Sequence, residues 1–281
     1  MSWRDFLNLT KPKITLLNIF AASASFLSAE GSPANMIHLL LAGYLSVGGA
    51  SALNHFLDAD IDSRMRRTSG RPIPAGRIRP RTAALLGSIM VAAAVLYSYV
   101  MYNPLTAIFI LSGALVYVFV YTVWLKRRTV WNIVIGGVAG SFAPLAGWSA
   151  AGREIEALPL FMALLVFLWT PGHFWALASR AVKDYSAAGV PMLPVVYGVQ
   201  TTSIATLVSN MIAVAAALLM ATLVSNPLLY LVIAAPFSAW LLIESIKPCI
   251  KYSPSAAWRA FKISSPWLFI IFAAIAASTA L

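Results

Sequence analysis

Nine apolar runs, each near the length needed to cross a bilayer, govern what this chain can fold into. They fall at approximately 14–29, 36–57, 83–102, 105–124, 131–151, 158–178, 203–224, 228–246 and 263–281, the first being the shortest. A hydrocarbon layer of ~30 Å takes about 20 helical residues. Backbone amides inside lipid must be satisfied within the protein, which leaves helices or a closed barrel. Strand-type alternation is absent from the runs, so the sequence predicts an all-α polytopic membrane protein with nine transmembrane helices. Only 10% of the residues are charged, against about 25% in an average soluble domain.

The charge distribution sets the expected orientation. With the N-terminus cytoplasmic, 19 of the 20 Lys and Arg residues fall on inner segments and only Arg153 lies outside. That is the positive-inside bias near its limit, and it predicts N-in, C-out. It also accounts for most of the formal charge of +11 without nucleic acid as a partner, the cations lying near anionic lipid. Cys249 is alone, so neither a disulfide framework nor a thiolate metal site is expected. The first apolar run reads as a retained span rather than a cleaved signal. The outer connections are short, the inner ones longer, and one membrane-embedded domain over 1–281 is expected with its working face cytoplasmic.

The scarce acids single out that face. In "NHFLDADIDSRMRRTSGRPIPAGR" (54–77), three of the chain's nine acidic residues fall within five positions. At 100° per residue Asn54, Asp58 and Asp62 form one stripe at the inner end of the second span, and Asp60 points away. Carboxylates one turn apart repel, and a polar group within a span is functional by default. Mg²⁺ accepts one or two carboxylates with substrate phosphates and waters. Asn54, Asp58 and Asp62 are therefore expected to hold a metal, and Asp60 to pair with Arg64, Arg66 and Arg67. Arg67 and Arg71 are the forks expected to meet phosphate. Arg77, Arg79 and Arg81 are read as topology charges. Pro72, Pro74 and Gly76 predict an irregular loop between them.

A second inner segment, "WTPGHFWALASRAVKDYSAAGVPMLPVVYG" (169–198), carries His173 beside Pro171 and Gly172, and Asp184 after Arg180 and Lys183. Two readings stand for each: His173 satisfies local groups or works in a site, and Asp184 is an ion-pair partner or a metal ligand from the opposite wall. In "YTVWLKRRTVWNIVIGG" (121–137), Tyr121 and Lys126 are candidates for a diphosphate, whereas Arg127 and Arg128 are as readily topological. Acids for Mg²⁺, cations for phosphate and an apolar cavity together suggest a diphosphate bearing a greasy chain, ionised to an allylic cation.

These motifs resemble those of the UbiA superfamily of intramembrane prenyltransferases. Its first signature, NDxxDxxxD, is matched by Asn54, Asp58 and Asp62, with His55 where the first Asp would stand. Its second, DxxxD, is matched by Asp184 alone, Ala188 taking the other place. "LTKPKITLLN", "RMRRTSGRPIPAGRI", "TPGHFWALA" and "DYSAAGVPMLPVVYG" are similar to the haem O-forming branch, over residues 9 to about 200. The resemblance implies a UbiA-type bundle and farnesyl transfer, with Mg²⁺, from farnesyl diphosphate to a vinyl group of haem B in the cell membrane. Asp58, Asp62, Asp184 and His173 would then be catalytic. Arg67, Arg71, Lys126, Arg180, Lys183 and Tyr121 would hold diphosphate, and His173 and His55 would contact haem. A haem A synthase or terminal oxidase assembly would lie downstream. The competing expectations are another prenyl acceptor and a non-catalytic haem or lipid transporter.

Overall fold

A computed structural model describes residues 2–279. Its helices are α1 (Trp3–Leu9), α2 (Pro12–Ser28), α3 (Pro33–Leu57), α4 (Ala59–Arg64), α5 (Pro80–Met101) and α6 (Pro104–Leu115). α6 runs on as a π-helical stretch, Val116–Leu125. Then come α7 (Asn132–Gly136), α8 (Val138–Ala150), α9 (Ala157–Arg180), α10 (Val182–Ala187), α11 (Leu193–Val196), α12 (Gly198–Leu219), α13 (Pro227–Ile250) and α14 (Pro254–Thr279). Six of these open on proline, whose missing N–H is not needed in a first turn. Asn103 and Asn226 cap α6 and α13 by accepting from the amides of Thr106 and Leu229.

Among the described residues, eight helices are long and apolar enough to cross a membrane, α6 counting as one with its π-helical stretch (Pro104–Leu125) and α7 as one with α8 (Asn132–Ala150). The ninth expected span is α2, whose 17 residues reach only about 25 Å. It lies within the bundle, packed on α3, α8 and α14. No strand occurs among the described residues. Where lipid would lie, large apolar side chains face outward; Leu85, Ile89, Leu96 and Val100 make such a stripe on α5.

Contacts between loops sort the helix ends into two groups. At one end Arg77 pairs with Asp5, Arg127 donates to the Leu57 carbonyl, the amides of Arg66 and Arg67 donate to Asp184, and Tyr252 donates to the Ser179 carbonyl. At the other Arg153 pairs with Glu30, Asn103 donates to the Ser149 carbonyl, and the Asn226 amide donates to the Ser278 carbonyl. The basic segments thus share the first end, the arrangement that the positive-inside count predicts.

Two devices position the polar end of α3. The helix crosses α5 through Gly49 and Gly87, where a Cβ on Gly87 would stand 2.7 Å from the Gly49 carbonyl oxygen. Backbones this close need small residues on both sides. In α9, Pro171 breaks the amide ladder, and Ser209 of α12 repairs it, accepting from the Gly172 amide at 3.0 Å and donating to the Leu168 carbonyl at 3.1 Å. Trp169 then donates to Ser264 of α14 at 2.6 Å, and Trp267 to Ser238 of α13 at 3.0 Å.

Candidate active site

Asp58 stands at a break in a helix. α3 ends at Leu57 and α4 begins at Ala59, with Asp58 between them at φ −96, ψ 7. The i→i+4 bonds nevertheless continue: the Asp58 amide donates to the Asn54 carbonyl at 2.9 Å and the Asp62 amide to the Asp58 carbonyl at 2.8 Å. The four-residue spacing of the stripe is therefore retained through the break. Asp58 is 0% exposed and Asp62 2%, so both need a compensating charge.

Each has one. Lys126, delivered by the π-helical stretch whose last bond runs from the Lys126 amide to the Tyr121 carbonyl at 2.9 Å, donates to Asp58 Oδ2. A π-helical turn holds one residue more than an α-turn and so rotates the side chains beyond it about the helix axis. Arg71 folds back from the proline-rich loop and donates to Asp62 Oδ2 at 2.6 Å. Thr68 Oγ1 ties that loop to the Asp62 carbonyl at 3.0 Å.

Asn54 joins a third cation. Its amide nitrogen donates to Asp58 Oδ2 at 2.8 Å and to Thr122 Oγ1 at 2.9 Å, while its oxygen accepts from Lys11 Nζ. Lys11 also donates to the Tyr117 hydroxyl at 3.1 Å. Burial, then repulsion from Arg71, lowers the Lys11 ammonium to about 7, with Asp58 and Asp62 partly opposing the fall. Lys11 precedes Pro12 at φ 46, the left-handed region, which turns its side chain under the bundle. Sequence reading counted it only as a topology charge. Its one signal was its place directly before the proline that opens α2. Thr122 and Tyr117 were not singled out either, since a regular helix does not reveal what a π-helical stretch brings inward.

The remaining expected residues separate. Asp184 accepts from the amides of Arg66 and Arg67 at 3.3 and 3.2 Å and so clasps the loop after α4. Arg67 reaches the buried Tyr185 hydroxyl at 3.4 Å, and burial pushes the Tyr185 phenol up. Tyr121 is buried and stacks on Tyr117 with ring centroids 5.9 Å apart. Asp60 faces outward as expected, but its partner is Arg127 rather than Arg64, Arg66 or Arg67: Arg127 grips both its oxygens, at 2.7 and 2.8 Å, and that hydrogen bonding holds its carboxyl below the usual range. Arg180 lies over the Trp258 ring, 5.3 Å from its centroid, and Lys183 lines the same rim cleft. His173 packs between Trp169 and Phe261, with Nδ1 3.2 Å from Ser264 Oγ. It stands against α14 rather than in the Lys126–Asp58 cluster. His55 is buried with neither ring nitrogen hydrogen-bonded.

No three of His, Cys, Asp and Glu converge as metal ligands among the described residues. Two carboxylates do face the ring of cations, and Asp58 Oδ1 is buried without a partner. That donor set fits a hard divalent cation sharing the site with phosphate oxygens. Asn54, which turns its nitrogen to Asp58, orients the pair. With Lys11, Lys126 and Arg71 set against Asp58 and Asp62, the cluster carries a surplus of positive charge when all are ionised. Such a ring binds an anion and stabilises charge developing on it.

The UbiA prenyltransferase family profile matches residues 16–277. A protein named protoheme IX farnesyltransferase 1, from Cenarchaeum symbiosum, is 43% identical over 288 aligned residues, covering 100% of this chain and 97% of that one. The protoheme IX farnesyltransferase of Sulfurisphaera tokodaii is 39% identical, covering 95% of this chain and 90% of its own. Among solved structures, a digeranylgeranylglyceryl phosphate synthase shares the fold at TM-score 0.78 and 18% identity, covering 99% of this chain and 98% of that one. A UbiA homologue from Archaeoglobus fulgidus bound to DMAPP and Mg²⁺ does so at TM-score 0.70 and 17% identity, covering 96% and 99%.

Proposed function

Because the chain belongs to the UbiA prenyltransferase family, we propose that it transfers the farnesyl group of farnesyl diphosphate to a vinyl group of haem B. Water adds in the same reaction, and haem O and diphosphate are released. Support comes from relatives named for that activity at about 40% identity along the whole chain. The observation that carries the reading is the pair of buried carboxylates, each matched to a cation, with Lys11 in excess.

In this reading Lys126, Arg71, Arg67 and Lys11 hold the diphosphate, and Tyr121 lines the site. The C1–O bond of the donor breaks, its electron pair leaving with diphosphate, and the ring of cations lowers the cost of that charge. The terminal carbon of a haem vinyl group bonds to C1. The carbon beside the porphyrin, now cationic, takes the oxygen of water, which loses a proton. Asp58 and Asp62 would hold Mg²⁺, which would supply Lewis-acid stabilisation of the leaving group. Asp184 acts through the loop it clasps, ordering Arg67. The stacked Tyr117 and Tyr121 rings present π faces that stabilise an allylic cation without trapping it. His173 is the leading contact for haem, and His55 a second.

The chain then acts as one prenyltransferase domain over 1–281, multi-pass in the cell membrane, with the N-terminus and active face cytoplasmic. Haem O would pass to a haem A synthase or terminal oxidase assembly. The test incubates purified protein with haem B, farnesyl diphosphate and Mg²⁺ and measures haem O by mass. Haem bound but unchanged would favour a carrier; prenylation of a different acceptor would favour another UbiA-type activity.

A further inference from the structure

We propose that Arg180 and Lys183 bind the carboxylates of the acceptor rather than the phosphates of the donor, and that the seam between α9 and α14 seats the porphyrin. The inference rests on the haem reading above. An unbroken ladder of rings runs along that seam. Trp169 stacks on His173 at 4.3 Å, His173 meets Phe261 at 4.6 Å, and Phe261 stacks on Trp258 at 5.0 Å. The Arg180 guanidinium closes the ladder 5.3 Å above the Trp258 ring. His173 and Arg180 are seven residues apart, which puts them on one face of α9 with about 10 Å of helix between them. His173, Phe261 and Trp258 are each only partly buried.

Arg180 and Lys183 also line a cleft of about 510 Å³ at the rim, with Asp184, Tyr252, Val199 and Pro254. Among the described residues, neither cation is in an ion pair. Asp184, the acid nearest in sequence, spends its carboxylate on the amides of Arg66 and Arg67. Unpaired cations above a run of aromatic rings suit a flat, apolar molecule with carboxylates on one edge. Haem B is such a molecule, with two propionates along one edge and its vinyl groups on the other side. Held by the propionates at the rim, it turns its vinyl side inward, toward the apolar interior where a farnesyl chain must lie. His173 is prepared for iron as well. In the tautomer in which Nδ1–H donates to Ser264 Oγ, Nε2 is an acceptor without a hydrogen-bond partner among the described residues, the pattern of a ligating histidine oriented by its other nitrogen.

The experiment compares wild type, the double variant R180Q/K183Q and the charge-keeping R180K in nanodiscs. Haem B and its dimethyl ester are titrated by absorbance, and the KM for farnesyl diphosphate is measured alongside. Charge-assisted hydrogen bonds predict at least ~10-fold weaker haem binding in the double variant, with the farnesyl diphosphate KM unchanged within about twofold. The ester should bind wild type and double variant alike, at the weakened level, and R180K should keep most of the haem affinity. A raised farnesyl diphosphate KM with haem affinity intact would return both residues to the donor. Ester binding as tight as haem binding in wild type would overturn the propionate contact. Haem affinity unchanged in the double variant, with a lost dependence on anionic lipid, would assign the cations to lipid phosphate instead. Propionate-dependent binding without haem O formation would leave this inference standing and remove the proposed reaction.

Discussion

The Lys126 ammonium and the Asp58 carboxylate meet in the interior, one from the π-helical end of α6 and the other from the break between α3 and α4. Both are nearly sealed from solvent, so each is the other's main source of charge compensation. The pairing fixes the distance between two helices that supply the candidate site, and it holds the carboxylate ready for a stronger cation or the ammonium for an anion.

Removing one member of such a pair leaves a bare buried charge, at a cost of about 3–5 kcal/mol. Asp58→Asn and Lys126→Met should each lower the melting temperature in detergent, and the double variant should lose less than the sum. Each should also reduce farnesyl transfer by at least ~100-fold. Additive melting losses would show that the two do not compensate one another.

Arg71 meets Asp62 from the proline-rich loop, and its fork can serve carboxylate and phosphate oxygens together. Arg71→Lys should therefore raise the KM for farnesyl diphosphate by roughly tenfold, because a point charge replaces a planar donor. Asp62→Asn should lower kcat and weaken Mn²⁺ binding read by electron paramagnetic resonance. Unchanged Mn²⁺ binding in both Asp62→Asn and Asp58→Asn would remove the metal assignment.

The ammonium of Lys11 is lowered to about 7, mainly by burial and then by Arg71. Its positive charge is thus present below that pH and lost as pH rises through it. Affinity for farnesyl diphosphate should fall as pH climbs from about 6 to 8. Between about 7 and the ordinary lysine range the unfolded chain binds the extra proton, so this residue's contribution makes stability rise with pH there. A Lys11→Arg variant stays charged, and its KM profile should be flat across that window; an unaltered profile would exclude Lys11 as the titrating group.

A Cβ on Gly87 would meet the Gly49 carbonyl oxygen at 2.7 Å, and backbone cannot step aside as a side chain can. Gly87→Ala should separate α3 from α5 and displace the Asn54–Asp62 stripe. The expected loss is about 1–3 kcal/mol, seen as a lower melting temperature together with reduced turnover. Full stability in Gly87→Ala would show that the crossing tolerates more space.

Much of this was legible in the sequence. Most hydropathy runs placed the helices to within a few residues, since lipid imposes length and composition on any span. The last did not: α14 begins at Pro254, and the charges Arg259 and Lys262 in its first turns hid that start from a run read from 263. The first run placed its helix well, but 17 helical residues fall short of a full crossing. Helical phase alone separated Asp60 from Asn54, Asp58 and Asp62, and the structure keeps that separation even through the break at Asp58. The proline-rich loop was predicted irregular from Pro72, Pro74 and Gly76, and it is irregular; within it Arg71 turns back to Asp62.

Partnerships between distant segments were not legible. Lys11 looked like one more inner cation until folding set it against Asn54 and Tyr117, 43 and 106 residues away. Arg180 and Asp184 sit four residues apart yet serve different neighbours, Trp258 on one side and the Arg66–Arg67 backbone on the other. His173 follows the same rule, joining Trp169, Phe261 and Ser264 instead of the acids. The spans, the basic end and the stripe of acids are readable from residue order alone, because periodicity and solvent preference are local properties of a chain. Which cation meets which acid is settled by packing in three dimensions. A buried charge finds its partner through helix crossings and a π-helical turn, and neither is written in spacing.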